Sequence, residues 1–212
     1  MVLVAGCTRR PQSGLPPGVE AEDLPESESW FVQLRTTLDG TSQSEIESPY
    51  LARFTGDSSF VYLGPPPGDT LAAVVALRLF DDEGQPRGQI QAQEIWLYES
   101  GSFVVAEGAT RIVVSGSDGA TVQADRLEIE DEAVTATGSV RAEVPGASVQ
   151  APRLTLADGG AFTATGGVSA RLTDANATVR ALSVRGGGDR YTAEGSARVQ
   201  TSGGRTLRAS RV

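Results

Sequence analysis

The sequence contains no histidine and no lysine, and it has a single cysteine, Cys7. Without an imidazole, a Ser-His-Asp or Cys-His nucleophilic site cannot form, and most catalytic zinc sites are excluded as well. One cysteine is also too few for a disulfide framework or a cysteine-rich metal cluster. We therefore expect no cofactor and no metal. The remaining classes are a binding, carrier or structural protein, or an enzyme that works through carboxylates alone.

All 18 basic residues are arginines, and they are unevenly distributed in a chain whose net charge is −9. Residues 1–179 carry 11 arginines against 25 acidic residues, whereas residues 180–212 carry seven arginines against Asp189 and Glu194. The acidic body disfavours nucleic acid, which requires a continuous basic footprint. The basic C-terminal segment has two interpretations. Its arginines either meet an anionic partner or are simply solvent-facing strand positions.

The segment Val4-Ala5-Gly6-Cys7 resembles the bacterial lipobox, in which small residues precede a cysteine that receives lipid. Only six residues precede Cys7, fewer than a secretory signal requires, so the motif implies a start further upstream. An ordinary cysteine is the alternative. The following residues are rich in proline and glycine, which is typical of a tether. We predict a truncated signal and tether over residues 1–25, with a single domain over residues 26–212.

Two sequence motifs recur with a period of 28–30 residues, which indicates a repeat-built domain. The first has the form V-x-A-x-x-L-x-L and begins at Val122 and again at Val149. The second has the form A-x-G and ends at Gly108, Gly138, Gly166 and Gly195, which are 30, 28 and 29 residues apart.

Within each repeat, small apolar residues alternate with polar ones, as in Val134, Ala136, Val140 and Ala142. A period of two predicts β-strands with one dry and one wet face. The sequence therefore predicts an all-β fold. The dry face is rich in alanine and glycine, and two explanations remain open: either the sheets approach closely, as in a β-solenoid, or an apolar ligand fills an open trough.

The chain resembles the LptC/LptA/OstA family of lipopolysaccharide-transport proteins over roughly residues 30–212. The resemblance is carried by Asp39-Gly40 followed by Ser44–Pro49, by Leu77–Gly84, by Ile90-Gln-Ala92, and by Gly119–Leu127. The N-terminal part is most similar to LptC, and extra OstA-type repeats follow residue 145. LptC is commonly anchored by one transmembrane helix, whereas this chain has a segment that resembles a lipobox.

This resemblance implies an elongated, twisted β-jellyroll, a folded-taco shape, whose apolar inner groove holds the acyl chains of lipopolysaccharide. It implies a periplasmic protein, anchored to a membrane through its N-terminus, that receives lipid from an inner-membrane ABC transporter and passes it to a downstream carrier of the same fold. The expected groove lining is the dry face of the repeats: Val122, Ala124, Leu127, Ile129, Val134, Ala136, Val140, Ala142, Val149, Ala151, Leu154, Leu156, Phe162, Ala164, Val168 and Ala170.

The segment Thr206–Val212 matches only the opening strand of a repeat. An unpaired strand edge can be completed by another chain. We predict that Thr206, Leu207, Arg208 and Ala209 form the edge on which the next carrier docks; the alternative is that this end of the chain frays.

Two other functions stay open. A structural β-solenoid would have parallel rungs and a closed, dry core. A carboxylate enzyme would have two facing acids, for which the candidates are Glu128, Glu130, Asp131 and Glu132, although the alternation of Glu128 and Glu130 with Leu127 and Ile129 favours a solvated strand face. The aromatic residues Trp30, Phe31, Phe54, Trp96 and Tyr98 are expected to pack in the core or at an edge.

Overall fold

The computed structural model describes residues 24–55, 59–69, 74–98, 103–114, 119–130, 133–157, 160–187 and 190–212. These residues form fourteen β-strands and no α-helix, which confirms the predicted all-β class. The strands are β1 Ser27–Leu38, β2 Thr41–Phe54, β3 Phe60–Gly64, β4 Val75–Phe80, β5 Pro86–Ala92, β6 Glu94–Tyr98, β7 Phe103–Val114, β8 Ala120–Glu130, β9 Ala133–Val144, β10 Ala147–Leu156, β11 Phe162–Leu172, β12 Ala177–Gly187, β13 Arg190–Thr201 and β14 Thr206–Arg211.

The strands belong to one hydrogen-bonded antiparallel sheet, an arrangement consistent with a β-jellyroll. Its order is β14-β13-β12-β11-β10-β9-β8-β7-β5-β4-β2-β3-β6, with β1 on β2 and a further pairing of β6 with β7. The chain divides into two compact units, Met1–Gly108 and Ala109–Val212. The single domain predicted over residues 26–212 stays a prediction. Cys7 and nearly all of the predicted tether lie outside the described residues.

The second unit is built from successive antiparallel hairpins, because the strands alternate in polarity and are joined by tight turns. The β9–β10 turn contains Gly146 and the β11–β12 turn ends at Asn176, both with positive φ. In the second of these turns, the Asn176 N–H donates to the Thr173 carbonyl at 3.1 Å. Short connections of this kind give the neighbour-to-neighbour strand order from β8 to β14.

A line of bulges crosses the middle of these hairpins. The register shifts by one residue between Gln123 and Arg126 on β8, and equivalent shifts occur in every pair from there to β14. The extra residue falls at the A-x-G motif of β9, β11 and β13, whose glycines have positive φ. At each of these glycines a side chain from the preceding strand lies against the place where a Cβ would stand: Asp125 at 2.2 Å for Gly138, Leu182 at 2.6 Å for Gly195 and Pro152 at 3.1 Å for Gly166.

The bulge line divides the second unit into two arms. On both arms the same face of the sheet is buried, whereas the residues at the line itself, such as Gly138 and Ser139, are exposed. The hydroxyl of Tyr191, from one arm, donates to the carbonyl of Pro145 in the β9–β10 turn of the other, at 3.3 Å. The arms therefore cover each other. Arm A holds residues 120–124, 140–144, 147–151, 168–172, 177–181, 197–201 and 206–209, and arm B holds residues 127–130, 133–136, 154–156, 162–165, 184–187, 190–193 and 211–212.

The first unit has its own core. Leu63, Val75, Ile90 and Ile95 are at most 1% exposed and lie on β3, β4, β5 and β6. These strands are central in the pairing of this unit, which explains why their branched side chains lose nearly all contact with water.

Candidate functional site

The candidate site is the inner face of the second unit, where the residues expected to line a lipid groove come together. Fifteen of the sixteen are buried, and Ile129, near the end of β8, is intermediate. The fifteen lie on both arms: Val122, Ala124, Leu127, Val134, Ala136, Val140, Ala142, Val149, Ala151, Leu154, Leu156, Phe162, Ala164, Val168 and Ala170.

This inner face is closed. The fifteen buried residues are between 0% and 8% exposed, which means that the opposite arm covers them. Within one layer, Leu154 lies between Ala136 and Ala164 on the neighbouring strands, and all three are 0% exposed. Of the two explanations for the alanine-rich lining, this burial fits close approach of the arms and not an open trough. A lipid in this interior would have to separate the arms.

The inner face becomes accessible at one end, where β14 is the last strand of the order. Leu207 pairs with Val199, and both belong to the inner face. Leu207 is nevertheless 54% exposed, because its strand β14 has a neighbouring strand on one side alone. Of the predicted partner edge, Thr206, Leu207 and Arg208 are exposed, and Ala209 is half-buried. About half of the backbone N–H and C=O groups of an edge strand point away from its partner. Among the described residues β14 pairs with β13 alone, which is the geometry that the docking prediction requires.

A strip of aromatic rings in the first unit was not anticipated as a connected feature. Its eight members come from five strands between residues 30 and 103, so no local sequence motif predicts them. The ring centroids of successive members are 4.7 to 6.2 Å apart, in two rows: Trp30, Tyr50, Tyr62 and Trp96, and then Phe54, Phe60, Tyr98 and Phe103. The expected packing of Phe31 is wrong: this residue is 87% exposed, because its φ of 54° interrupts the alternation of β1.

Two tyrosines of the strip have altered titration behaviour. Burial, followed by a hydrogen bond to the Glu28 carboxylate, raises the pKa of Tyr50 above its ordinary value. Burial, with a smaller contribution from the Glu94 carboxylate, raises the pKa of Tyr62 to about 12. Both hydroxyl groups therefore stay protonated in the folded protein at pH values where an unfolded chain begins to lose these protons.

This difference predicts a loss of stability in alkali. Between pH values of about 10 and 12 the folded state binds more protons than the unfolded state, so the free energy of unfolding falls as the pH rises. Urea titrations at pH 8, 10 and 11.5 measure this slope. The double variant Tyr50→Phe, Tyr62→Phe should have a flatter pH dependence than the wild type, and equal slopes for the two proteins would contradict the assignment.

Of the four candidate carboxylates, Glu128 and Glu130 lie on the outer face. Glu128 accepts hydrogen bonds from Nε and Nη2 of Arg126 at 2.9 and 2.8 Å, and Glu130 is exposed. Asp131 and Glu132 lie outside the described residues. Among the residues that the structure describes, no three acidic or cysteine side chains are grouped as metal ligands. Within the same ranges, no helix is long and apolar enough to cross a bilayer.

Comparison of the sequence with protein-family models and with curated proteins finds no match. The resemblance to lipopolysaccharide-transport proteins accordingly stays a prediction that rests on the residue pattern.

Proposed function

We propose that this chain is a lipid carrier that takes lipopolysaccharide acyl chains between the two arms of its second unit and hands them to a similar carrier. The observation that supports this proposal is an apolar inner face that continues across the strands β8 to β14 and is divided by one line of glycine bulges. Among the described residues of this face, no buried side chain carries a charge, so the face can exchange contacts with the opposite arm for contacts with an acyl chain.

The energetics are those of apolar transfer. Each CH2 group of an acyl chain that leaves water contributes about 0.8 kcal/mol. Such a chain would enter where the inner face is accessible, beside Leu207, and it would spread the arms about the bulge line. The hydrogen bond from Tyr191 to Pro145 would break as they separate. Binding of this kind needs no catalytic group, so directional transfer depends on an ATP-driven partner in the inner membrane.

The proposal includes the location and partners that the resemblance implies. The chain would act in the periplasm, held at a membrane through lipid on Cys7 or through an upstream signal. The open edge of β14, at Thr206 to Ala209, would pair with the downstream carrier.

Site-specific photo-crosslinking tests where the lipid binds. Phe162 is buried on the inner face, whereas the adjacent Thr163 points outward on the same strand. A benzophenone amino acid replaces an aromatic ring at Phe162 with little change in shape, and the same substitution at Thr163 is the matched control. We expect crosslinks to added lipopolysaccharide from position 162 and not from position 163, and we expect Tyr191→Phe to increase their yield. Equal crosslinking from both positions, or crosslinking from position 163 alone, would contradict a lipid between the arms.

One observation favours a second candidate, a structural protein without lipid cargo. The inner face is closed by its own side chains, which is the core expected of a rigid scaffold. The parallel rungs predicted for a scaffold are absent from the strand pairs that the structure describes, all of which are antiparallel. If the folded protein with benzophenone at position 162 gave no crosslink to lipopolysaccharide, that result would favour the structural candidate.

A further inference from the structure

A row of arginines crosses the outer face of arm A. In the register of the sheet, Arg180 on β12 pairs with Arg198 on β13, and Arg198 pairs with Arg208 on β14. In the other direction, Arg180 pairs with Ser169, Ser169 with Gln150, and Gln150 with Arg141 on β9. Neighbouring strands are about 4.8 Å apart, so three guanidinium groups start from adjacent backbone positions. We call the exposed Arg141, Arg171, Arg180, Arg198 and Arg208 the arginine face.

The positive charge of this face is not neutralised within the described part of the chain. None of the five arginines has a carboxylate within 4.0 Å among the described residues, although Arg35, Arg78, Arg126 and Arg211 do. The one acidic side chain on the outer face of arm A, Glu143, accepts a hydrogen bond from the hydroxyl of Ser148 at 2.8 Å. Like charges at directly opposed positions of a sheet are destabilising. The fold therefore maintains a repulsive arrangement that an external anion would relieve.

The outer face also has a place for a headgroup. A shallow groove of about 620 Å³ lies between Arg141 and Arg180, with Gln150 and Ser169 between them. Gly167, on the bulge line, borders this groove, and a Cβ there would meet no atom within 4 Å. At Gly138, which also borders it, the Asp125 side chain stands in that place, and its carboxylate accepts a hydrogen bond from the Ser139 N–H at 2.9 Å. Guanidinium groups on two sides, with amide and hydroxyl donors between them, suit the oxygens of a phosphate.

The composition of the face indicates the kind of anion. Apart from the arginines and Glu143, the outer face of arm A consists of exposed glutamine and threonine and half-buried serine and threonine side chains, without an aromatic ring for stacking on a nucleic acid base. The outer face of arm A also carries no large apolar side chain of the kind that anchors protein interfaces, and the exposed Leu182 lies at the bulge line outside this arm. A partner that presents many phosphates over an area as wide as several strands matches these properties. Arm B differs, because Thr135, Thr155 and Thr163 lie in one row across its outer face.

We propose that the arginine face docks on the anionic phospholipid headgroups of a membrane surface, with one headgroup phosphate in the groove between Arg141 and Arg180. This proposal is independent of whether the interior holds a lipid. Of the two interpretations of the basic C-terminal segment, it selects the one in which the arginines meet an anionic partner.

Vesicle flotation tests the docking. The full chain, with Cys7→Ser in every sample so that no attached lipid contributes, is mixed with phosphatidylglycerol/phosphatidylcholine vesicles or with phosphatidylcholine vesicles alone. We expect binding to the anionic vesicles only, and a loss of affinity on the order of 100-fold in the variant R180S/R198S/R208S, since each arginine near such a surface contributes roughly fivefold. The matched control R153S/R185S/R190S removes three exposed arginines outside the arginine face, Arg185 and Arg190 on arm B and Arg153 beside the bulge line. It should bind within about threefold of the parent protein.

The possible results distinguish binding through the arginine face from binding through net charge and from a site for free phosphate. Equal losses in the two triple variants would show that net charge alone matters and would overturn the proposal. Binding to neutral vesicles, or no binding to vesicles of either composition, would overturn it as well. Competition by millimolar inorganic phosphate at constant ionic strength would indicate a site for free phosphate and not for a surface. Thermal melts of each variant establish that it is folded before its binding is interpreted.

Discussion

Replacing Leu154 with alanine should lower the free energy of unfolding by about 2–5 kcal/mol, the range for a buried leucine whose cavity does not collapse. Leu154 is 0% exposed and stands between Ala136 and Ala164 on the adjacent strands. Its neighbours are too small to fill the space that the substitution would leave. Urea unfolding followed by far-UV circular dichroism measures the change, and Leu207→Ala is the control. Leu207 is 54% exposed, so its truncation should change the free energy much less.

The reverse substitution distinguishes a filled interior from a hollow one. Ala164→Leu adds three carbon atoms at a position that is 0% exposed, and overpacking of this kind costs about 1–3 kcal/mol in a closed core. In an open trough the added side chain would bury apolar surface and leave the stability unchanged or higher. A neutral or stabilising Ala164→Leu would therefore contradict the closed inner face and would strengthen the case for a ready-made groove.

The alternation of residues was enough to predict the strands and the inner face of the second unit. Val134, Ala136, Val140 and Ala142 share one parity, and all four are buried. Their parity does not reveal what covers them, because this depends on the bend at the bulge line and on the contact between arms. The hydrogen bond from Tyr191 to Pro145 joins residues 46 positions apart. The A-x-G motif coincides with the bend in the structure, but in the sequence it indicated only a repeat.

The arginine face shows why a charged segment is hard to interpret from sequence. Arg141, Arg180, Arg198 and Arg208 are separated by 39, 18 and 10 residues, and no fixed spacing connects them. Their row exists because each hairpin has its own length and each bulge shifts the register by one residue. A one-residue slip in any strand would turn its arginine toward the inner face. The aromatic strip of the first unit escaped prediction for a related reason: each of its two rows is connected through the pairing of β3 with β6, which brings Tyr62 to Trp96 and Phe60 to Tyr98 although these strands are not consecutive in the sequence.

Replacing Gly138 with alanine should be among the most destabilising changes that add a single methyl group to this chain, at about 3 kcal/mol. Two effects contribute to this value. The backbone of Gly138 has a φ of 96°, and a left-handed conformation costs an L-residue roughly 1–2 kcal/mol. The new Cβ would also stand 2.2 Å from Oδ2 and 2.7 Å from Cβ of Asp125. This carboxylate accepts a hydrogen bond from the Ser139 N–H at 2.9 Å, so moving it away would leave that donor without its partner.

A neighbouring glycine on the same bulge line isolates the backbone effect. Gly167 has a φ of 97°, but a Cβ at this position would meet no atom within 4 Å. Gly167→Ala should therefore lower the free energy of unfolding by the backbone penalty alone, roughly 1–2 kcal/mol, and the excess in Gly138→Ala measures the contact with Asp125. Urea unfolding of both variants under one set of conditions provides the comparison. If the two substitutions had equal effects, Asp125 would not be packed against the bulge, and the side chains that cover these glycines would have no part in setting the bend between the arms.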